Sequence, residues 1–495
     1  MQPLTVSATE PTKGRRCWEC RRRRVVCDFS IPECNKCRAA GVECPGYDAK
    51  KPLRWLDPGR VSSRTRKKKV AVAQQKNEGE STDDQDKQPV SADDQLQVRA
   101  SNVPRVQLVD KTGTIVQAVY YYNCHILPEY TPLLQLGENP FIMAFPMSGV
   151  QYLPPAIHNT LVSMALGHRF HQLLPQNSRS DLCELRTRYF HHRGEAIRSV
   201  GEAIAMPEAC CTDLALNGVM MLLFTDSRQS TSPDWRHHFA CAMKLVAYRG
   251  GVENLLQSAP HLRPMLLYFM IIGVVSNTTT PPSDHILASA DTGSIKDISQ
   301  LYGDGFFPIL LCPPTLFKHI IRINHLRRQA FSSPCSPEHL QPAATDLLGQ
   351  ITAFLPEDWA TSTSAPDEAI LLGHLYRCAV TLYCLLSLQS LSLFPHSAQI
   401  RAMKRVHAAN LTQHLRLACA SPGIDKCMLW PLFVAGMAAD GDLAICGFIE
   451  KRLTALAAGV GSPIPLLATV VLKRAWESGG VGWDECFERP YCFVV

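Results

Sequence analysis

From about residue 103 to the C-terminus, apolar positions recur every three or four residues, the spacing of helices that bury one face. Leu182, Leu185, Tyr189, Ile197, Val200 and Ile204 share one such stripe. Trp235, Phe239, Ala242 and Val246 make a second. Ser232-Pro233-Asp234 precedes it, offering a hydroxyl cap, a proline at the first helical position and an acid suited to the helix dipole. Gly250-Gly251 is placed to end that helix. Ile445, Ile449, Leu453 and Leu456 form a third stripe, closed by Gly459 and Gly461. Pro281-Pro282 and Pro313-Pro314 fall between helical stretches. Alternating strand patterns are scarce, so residues 103–495 are predicted to be a large all-α domain. About 395 residues is more than one core usually serves, which leaves room for two helical lobes.

The first hundred residues follow other rules. Residues 1–12 are polar and predicted flexible, and residues 13–48 are dense in cysteine and arginine. Residues 49–102 run from basic to acidic, with too few large apolar side chains to offset the entropy of ordering, and are predicted to be a disordered linker. No heptad runs through residues 70–100, so a coiled coil is not expected there.

Charge sharpens this division. The 495-residue chain nets +6, yet residues 13–69 alone carry 18 basic and 6 acidic side chains. Such concentration points to a polyanion, most directly nucleic acid. The longest apolar run, residues 265–275, is eleven residues, short of the ~18–20 a membrane helix needs. The N-terminus lacks the charged start and apolar block of a secretory signal, so no membrane partner and no disulfide framework are expected.

Cys17, Cys20, Cys27, Cys34, Cys37 and Cys44 carry the candidate chemistry, in the spacing C-x2-C-x6-C-x6-C-x2-C-x6-C. Two residues then six, taken twice, describes a site of two similar halves. Zinc favours four tetrahedral ligands and thiolates suit it. One zinc would leave two thiolates idle, whereas two zincs are satisfied by six thiolates if two of them bridge. Six thiolates and two zincs leave a charge of −2, answered by Arg15, Arg16, Arg21, Arg22, Arg23, Arg24, Lys36 and Arg38 close by. Three disulfides, or one zinc with two spare cysteines, are the competing readings. So short a segment cannot build an adequate apolar core, and metal binding is expected to supply most of its folding free energy, on the order of 10–16 kcal/mol for a structural zinc site.

The stretch CWECRRRRVVCDFSIPECNKCRAAGVEC resembles the fungal binuclear zinc-cluster domain of transcription factors, in cysteine spacing and in Pro32. The resemblance implies Cys17 and Cys34 as bridging ligands, with Cys20 and Cys27 completing one zinc site and Cys37 and Cys44 the other. It also implies a short helix after the second cysteine that enters the major groove. A basic pair at Arg23 and Arg24 would read a CGG-type triplet there, and arginine suits guanine O6 and N7 together. Arg21 and Arg22 would hold phosphates, fixing register without reading sequence. Val26 stands where the family often has a basic residue. Beyond the cluster, Lys50 and Lys51 are candidate phosphate contacts. The run containing Arg64, Arg66, Lys67, Lys68 and Lys69 has the composition of a nuclear import signal.

The segments NPFIMAFP (from Asn139), SPDWRHHFACAMKLVAYRGG (from Ser232), WPLFVAGMAA (from Trp430) and WDECF (from Trp483) resemble the fungal-specific regulatory domain that often follows this cluster. No catalytic residue comes with that resemblance. Asp291-Thr292-Gly293-Ser294 spells an aspartic-protease loop, but no second such loop accompanies it. His191-His192 and His237-His238 are adjacent pairs that diverge on a helix and make poor joint ligands. Of the remaining fourteen cysteines, Cys210, Cys211, Cys241, Cys378, Cys384 and Cys446 read as small buried hydrophobes, with a redox role considered for Cys486 and Cys492.

The sequence therefore predicts a nuclear, zinc-dependent transcription factor, not an enzyme. It would bind double-stranded DNA and regulate a metabolic, secondary-metabolite or stress gene set. Its helical region would contact the transcription machinery or co-regulators and is a possible site of homodimerisation. A zinc-dependent protein-interaction module and an enzyme with an appended DNA-binding domain are the alternatives.

Overall fold

The computed structural model describes residues 16–47, 111–173, 179–206, 208, 210–286, 301, 310–332, 337–361, 363, 365–479 and 482–494. The chain divides into two compact units, Met1–Val103 and Pro104–Val495. The linker prediction, Lys50, Lys51, the import run and the Asp291 loop lie outside the described residues.

The first unit holds two short helices, α1 (Trp18–Arg23) and α2 (Asn35–Arg38). The second is built of helices, with no strand among its described residues. They include α3 (Lys111–Tyr121), α4 (Pro155–Leu173), α5 (Arg179–Ala205), α6 (Asp213–Gln229), α7 (Trp235–Tyr248), α8 (Gly251–Ser258) and α9 (Arg263–Thr278). Further along the chain come α10 (Pro314–Ser332), α11 (Gln341–Thr352), α12 (Pro366–Ser390), α13 (Ala398–Ala418), α14 (Leu429–Met437), α15 (Leu443–Val460) and α16 (Ile464–Glu477). Residues from both ends of this unit share one core, with a smaller cluster between α3 and α4. The two-lobe expectation is corrected accordingly: residues 104–495 form one compact unit.

Local sequence explains most boundaries. Thr212, Ser397 and Asp442 cap α6, α13 and α15, accepting from backbone N–H groups two or three residues on. Gly250 and Gly461 adopt positive φ, 85° and 57°, where a side chain would be strained. The Ser232 cap is a correction. Residues 233–234 instead make a tight turn, with Arg236 N donating to Pro233 O and His237 N to Asp234 O, and α7 begins at Trp235. The α5 stripe is also corrected, because Ile197 is exposed while Tyr189, Ala196 and Val200 face the core. Seven residues is nearly two full turns, so Ala196 lies under Tyr189 and Ile197 is rotated about 100° away from Ala196.

Helix α9 is buried on every side from Leu266 to Thr278, which is the pattern of a central helix. All four segments singled out in the sequence converge on it. Phe141 packs edge-on to Tyr268 at 5.5 Å and Phe239 stacks on Phe269 at 4.5 Å. The indoles of Trp430 and Trp483 both donate to Thr278, to its hydroxyl at 2.9 Å and its carbonyl at 2.8 Å. Where α9 ends, its last carbonyls need donors. Arg327 of α10, fully buried, donates to Asn277 O (2.6 Å) and Thr280 O (3.0 Å), to the Tyr383 hydroxyl (2.9 Å) and to the Asp484 carboxylate. The C-terminal segment is tied to the same place by Thr279 Oγ1 donating to Tyr491 O at 3.0 Å.

Helix α12 is long and apolar enough to cross a membrane by length and composition, and 72% of that window is buried inside the protein. The eleven-residue limit read from the sequence understated it because Thr381 and Ser387 interrupt its apolar run while being buried with it. A second ion cluster joins α5, α6 and α7. Asp226, fully buried, accepts a two-pronged contact from Arg193 (2.8 and 2.6 Å) and one from His238 (3.1 Å). His192 instead meets Asn159 at 2.9 Å, and its ring packs edge-on to that of His191 at 5.2 Å. Cys378, Cys384 and Cys446 are buried, whereas Cys210 and Cys211, in the turn before α6, and Cys241 are half-buried, a correction of their expected burial. Cys492 is buried and burial pushes its thiol up to about 12, which disfavours the thiolate a redox role requires.

Two outcomes are expected. Arg327→Met leaves the Asp484 carboxylate and the α9 carbonyls without their donor, and should destabilise the helical unit by about 3–5 kcal/mol in urea denaturation. Burial pushes His168 down to about 3 and His319 to about 4. The unfolded chain takes up protons below its ordinary value near 6.5, while these histidines stay neutral in the fold. Stability is therefore full above about pH 6.5 and lost as pH falls, by about 2–4 kcal/mol between pH 7 and 5. Denaturation midpoints at the two pH values check this, and unchanged midpoints would refute it.

Candidate metal centre and nucleic-acid interface

The six cysteines come together through two copies of one local structure, seventeen residues apart. Cys17 caps α1 and Cys34 caps α2, each sulfur accepting from the backbone N–H three residues on, Cys20 and Cys37, at 3.3 Å. Arg21 N and Arg38 N then donate to the carbonyls of Cys17 and Cys34, and Val25 N and Val42 N to those of Cys20 and Cys37. Both halves turn through a left-handed residue, Arg24 (φ 58°) in the first and Gly41 (φ 65°) in the second. Phe29 (φ 58°) and Gly46 (φ 76°) repeat the correspondence.

Two sets of four sulfur atoms each lie within 4.8 Å of one another: Cys17, Cys20, Cys27, Cys34, and Cys17, Cys34, Cys37, Cys44. Cys17 and Cys34 belong to both. The sulfur separations Cys17–Cys34 (3.6 Å), Cys20–Cys34 (3.6 Å) and Cys17–Cys37 (3.7 Å) far exceed the ~2.05 Å of a disulfide. They match the spacing of thiolates around a tetrahedral ion with bonds near 2.3 Å, about 3.8 Å. Burial pushes the Cys17 and Cys37 thiols up, Cys37 to about 12. The donor set is soft, and the residues fit zinc.

Three supporting residues escaped the sequence reading. Asp28 accepts from Asn35 N (3.1 Å) and Lys36 N (3.3 Å), capping α2 from the loop between the halves. The Ser30 hydroxyl and these amides hold its carboxyl well below the usual range. Tyr47 donates to Ser30 O at 2.8 Å and touches Cys27 Sγ at 3.8 Å, closing the second half against the first. Glu19 takes both prongs of Arg22, at 2.9 and 2.6 Å. The seventeen-residue offset, which pairs Ser30 with Tyr47, was the available signal.

The position of α1 is a correction. It begins directly after the first cysteine, because the Cys17 sulfur itself caps it, and Cys20 lies inside it. Arg21, Arg22 and Arg23 form its last turn and Arg24 follows as a left-handed cap. All four are exposed, and the Arg21 guanidinium lies 5.0 Å over the Trp18 ring. Four successive arginines at ~100° steps cannot all face one groove. Val26 is 70% exposed beside them.

Comparison with known proteins agrees with this geometry. Residues 15–54 match the model of the fungal Zn(2)-Cys(6) binuclear cluster domain, which binds two zinc ions through six cysteines, and residues 119–489 match that of the fungal specific transcription factor domain. The chain is 34% identical over 492 residues to the phomenoic acid biosynthesis cluster-specific transcriptional regulator of Leptosphaeria maculans, covering 98% of this chain and 90% of that protein. Arginine metabolism regulation protein II of Saccharomyces cerevisiae is 48% identical over 42 residues, 8% of this chain and 4% of that one. Pestheic acid cluster transcriptional regulator 3 of Pestalotiopsis fici is 46% identical over 43 residues, 9% of this chain and 7% of that one. No solved structure matches the chain. With its two-zinc cysteine cluster and its helical unit both matched, the chain belongs to the fungal-specific transcription factors of the Zn(2)-Cys(6) type.

Proposed function

We propose that this protein is a nuclear regulator, without enzymatic activity, that reads a CGG-type triplet in double-stranded DNA. The carrying observation is α1 itself. It is held at its start by a cysteine common to both sulfur sets and presents four exposed arginines at its end. Zinc, when bound, supplies the rigid base from which this short helix projects.

The division of labour among the four arginines follows the resemblance. Arg23 and Arg24 end the helix and are assigned to guanine O6 and N7. Arg21, resting over Trp18, and Arg22, shared with Glu19, are assigned to phosphates, where contacts fix register. Arg24 occupies a conformation that costs a non-glycine residue about 1–2 kcal/mol, at a position where the other half has glycine. Strain kept at one residue of a repeated turn supports a role for its side chain. Lys50, Lys51 and the run of Arg64, Arg66, Lys67, Lys68 and Lys69 extend phosphate contact beyond the triplet, and that run serves nuclear import.

The helical unit regulates, by contact with the transcription machinery or co-regulators and through a second copy of the chain. Cys17 and Cys34 bridge the two ions. Two of the relatives are named for control of biosynthesis or a gene cluster, which favours a secondary-metabolite gene set as the target.

Arg24→Ala should weaken binding to a CGG duplex by about 1–3 kcal/mol with little effect on unrelated duplexes. Arg24→Gly should lose as much while unfolding no more easily, since the turn is then unstrained. Fluorescence anisotropy on both duplexes decides this; equal loss on every sequence would make Arg24 a phosphate contact. Cys17→Ser or Cys34→Ser should each abolish binding of both zinc ions by elemental analysis. Two ions retained after either change would refute the bridging assignment.

A further inference from the structure

Helix α5 is 27 residues long and lays one side against the helical core. On its other side Cys183, Thr187, Phe190, Gly194, Ile197 and Gly201 follow one another at alternating steps of four and three, and all six are exposed. That spacing keeps them on a single seam of the kind helices use to pair. Phe190 is 53% exposed. The glycines are the anomaly. A Cβ added at Gly194 or Gly201 would meet nothing within 4 Å among the described residues, so packing against them requires neither glycine. Each nonetheless costs an exposed helix interior about 1 kcal/mol relative to alanine.

We propose that this seam is the interface between two copies of the chain, with their α5 helices crossing antiparallel. One two-fold axis, passing beside His192, pairs every position on the seam. It sets Phe190 of each copy over Gly194 of the other, Ile197 over Thr187, and Cys183 over Gly201. A larger side chain meets a smaller one at each layer. The same axis brings Glu184 of each copy beside Arg198 of the other, and both side chains are exposed on the flank of the seam. In its own chain Arg198 uses one nitrogen, on Glu195 at 2.5 Å, which leaves donors for Glu184 of the second copy. A parallel pair would place Phe190 on Phe190 and set both glycines opposite glycines, leaving holes unfilled. Size and charge complementarity are thus met by a second copy of the same helix in one orientation.

The inference deepens the two-copy reading above and rests on it. The interface needs no DNA, so its failure is distinguishable from failure of the DNA reading. One helix pair is a small interface, so a dissociation constant on the order of micromolar is expected for the free protein. Two tethered zinc modules on one duplex would then gain from the resulting effective concentration.

Sedimentation velocity of the full-length, zinc-loaded protein at ~0.1–100 μM tests it, a range that brackets a micromolar constant. The wild type should dimerise. Glu184→Arg and Arg198→Glu should each weaken dimerisation roughly tenfold, and the double exchange should restore it. Gly201→Cys should give a disulfide-linked dimer under mild oxidation, and Cys183→Ser in that background should abolish it. Within one helix those two positions are about 27 Å apart, so the link must join two chains. A wild type monomeric throughout, charge variants that associate as well as wild type, or a cross-link that is absent or independent of Cys183 would each overturn the proposal.

Discussion

Charge taken out of water must be answered at short range, and both units of this protein are organised around such a demand. In the small unit the demand comes from sulfur. Six cysteines converge so closely that Cys17 and Cys34 each belong to two tetrads. Outside the cysteines, Val25 and Tyr47 pack against them, so there is almost no apolar core to hold the cluster by itself. Cations between the sulfurs would offset most of the thiolate charge and close the fold, and the helix that presents the arginines is capped by one of the shared sulfurs.

In the large unit the demand comes from backbone. Helix α9 is surrounded by core, and its final carbonyls would be stranded there without donors. Arg327, Trp430 and Trp483 reach its end from three separate parts of the chain. This explains why WPLFVAGMAA and WDECF stand out as segments although they are far apart in sequence. Their indoles are amphipathic, filling volume while each N–H satisfies a polar group of Thr278. NPFIMAFP and SPDWRHHFACAMKLVAYRGG meet the same helix nearer its middle through Phe141 and Phe239.

A reader of DNA and a regulatory body can be built separately when each satisfies its own buried groups. The small unit needs metal and little else; the large one needs its polar network and apolar core. A helix face left unsatisfied within the chain, as on α5, is then informative, because neither unit's internal economy accounts for it.

Spacing and residue type alone determined a great deal. Six cysteines at fixed intervals point to zinc and, with two sulfurs bridging, to two ions, since ligand chemistry is local. The basic and acidic blocks and the 3.6-residue periodicity follow from composition and helix geometry in the same way. Tertiary structure decided the rest. It moved the start of α1 onto Cys17, because a sulfur held by the second half is free to cap it. It turned Ile197 outward in favour of Ala196, and it drew residues from both ends of the helical unit into one core. It also placed Arg327 where no periodicity could foresee it. A buried arginine is legible only once the carbonyls and the carboxylate that hold it are gathered from distant parts of the chain, and long-range pairing of that kind leaves no local signature.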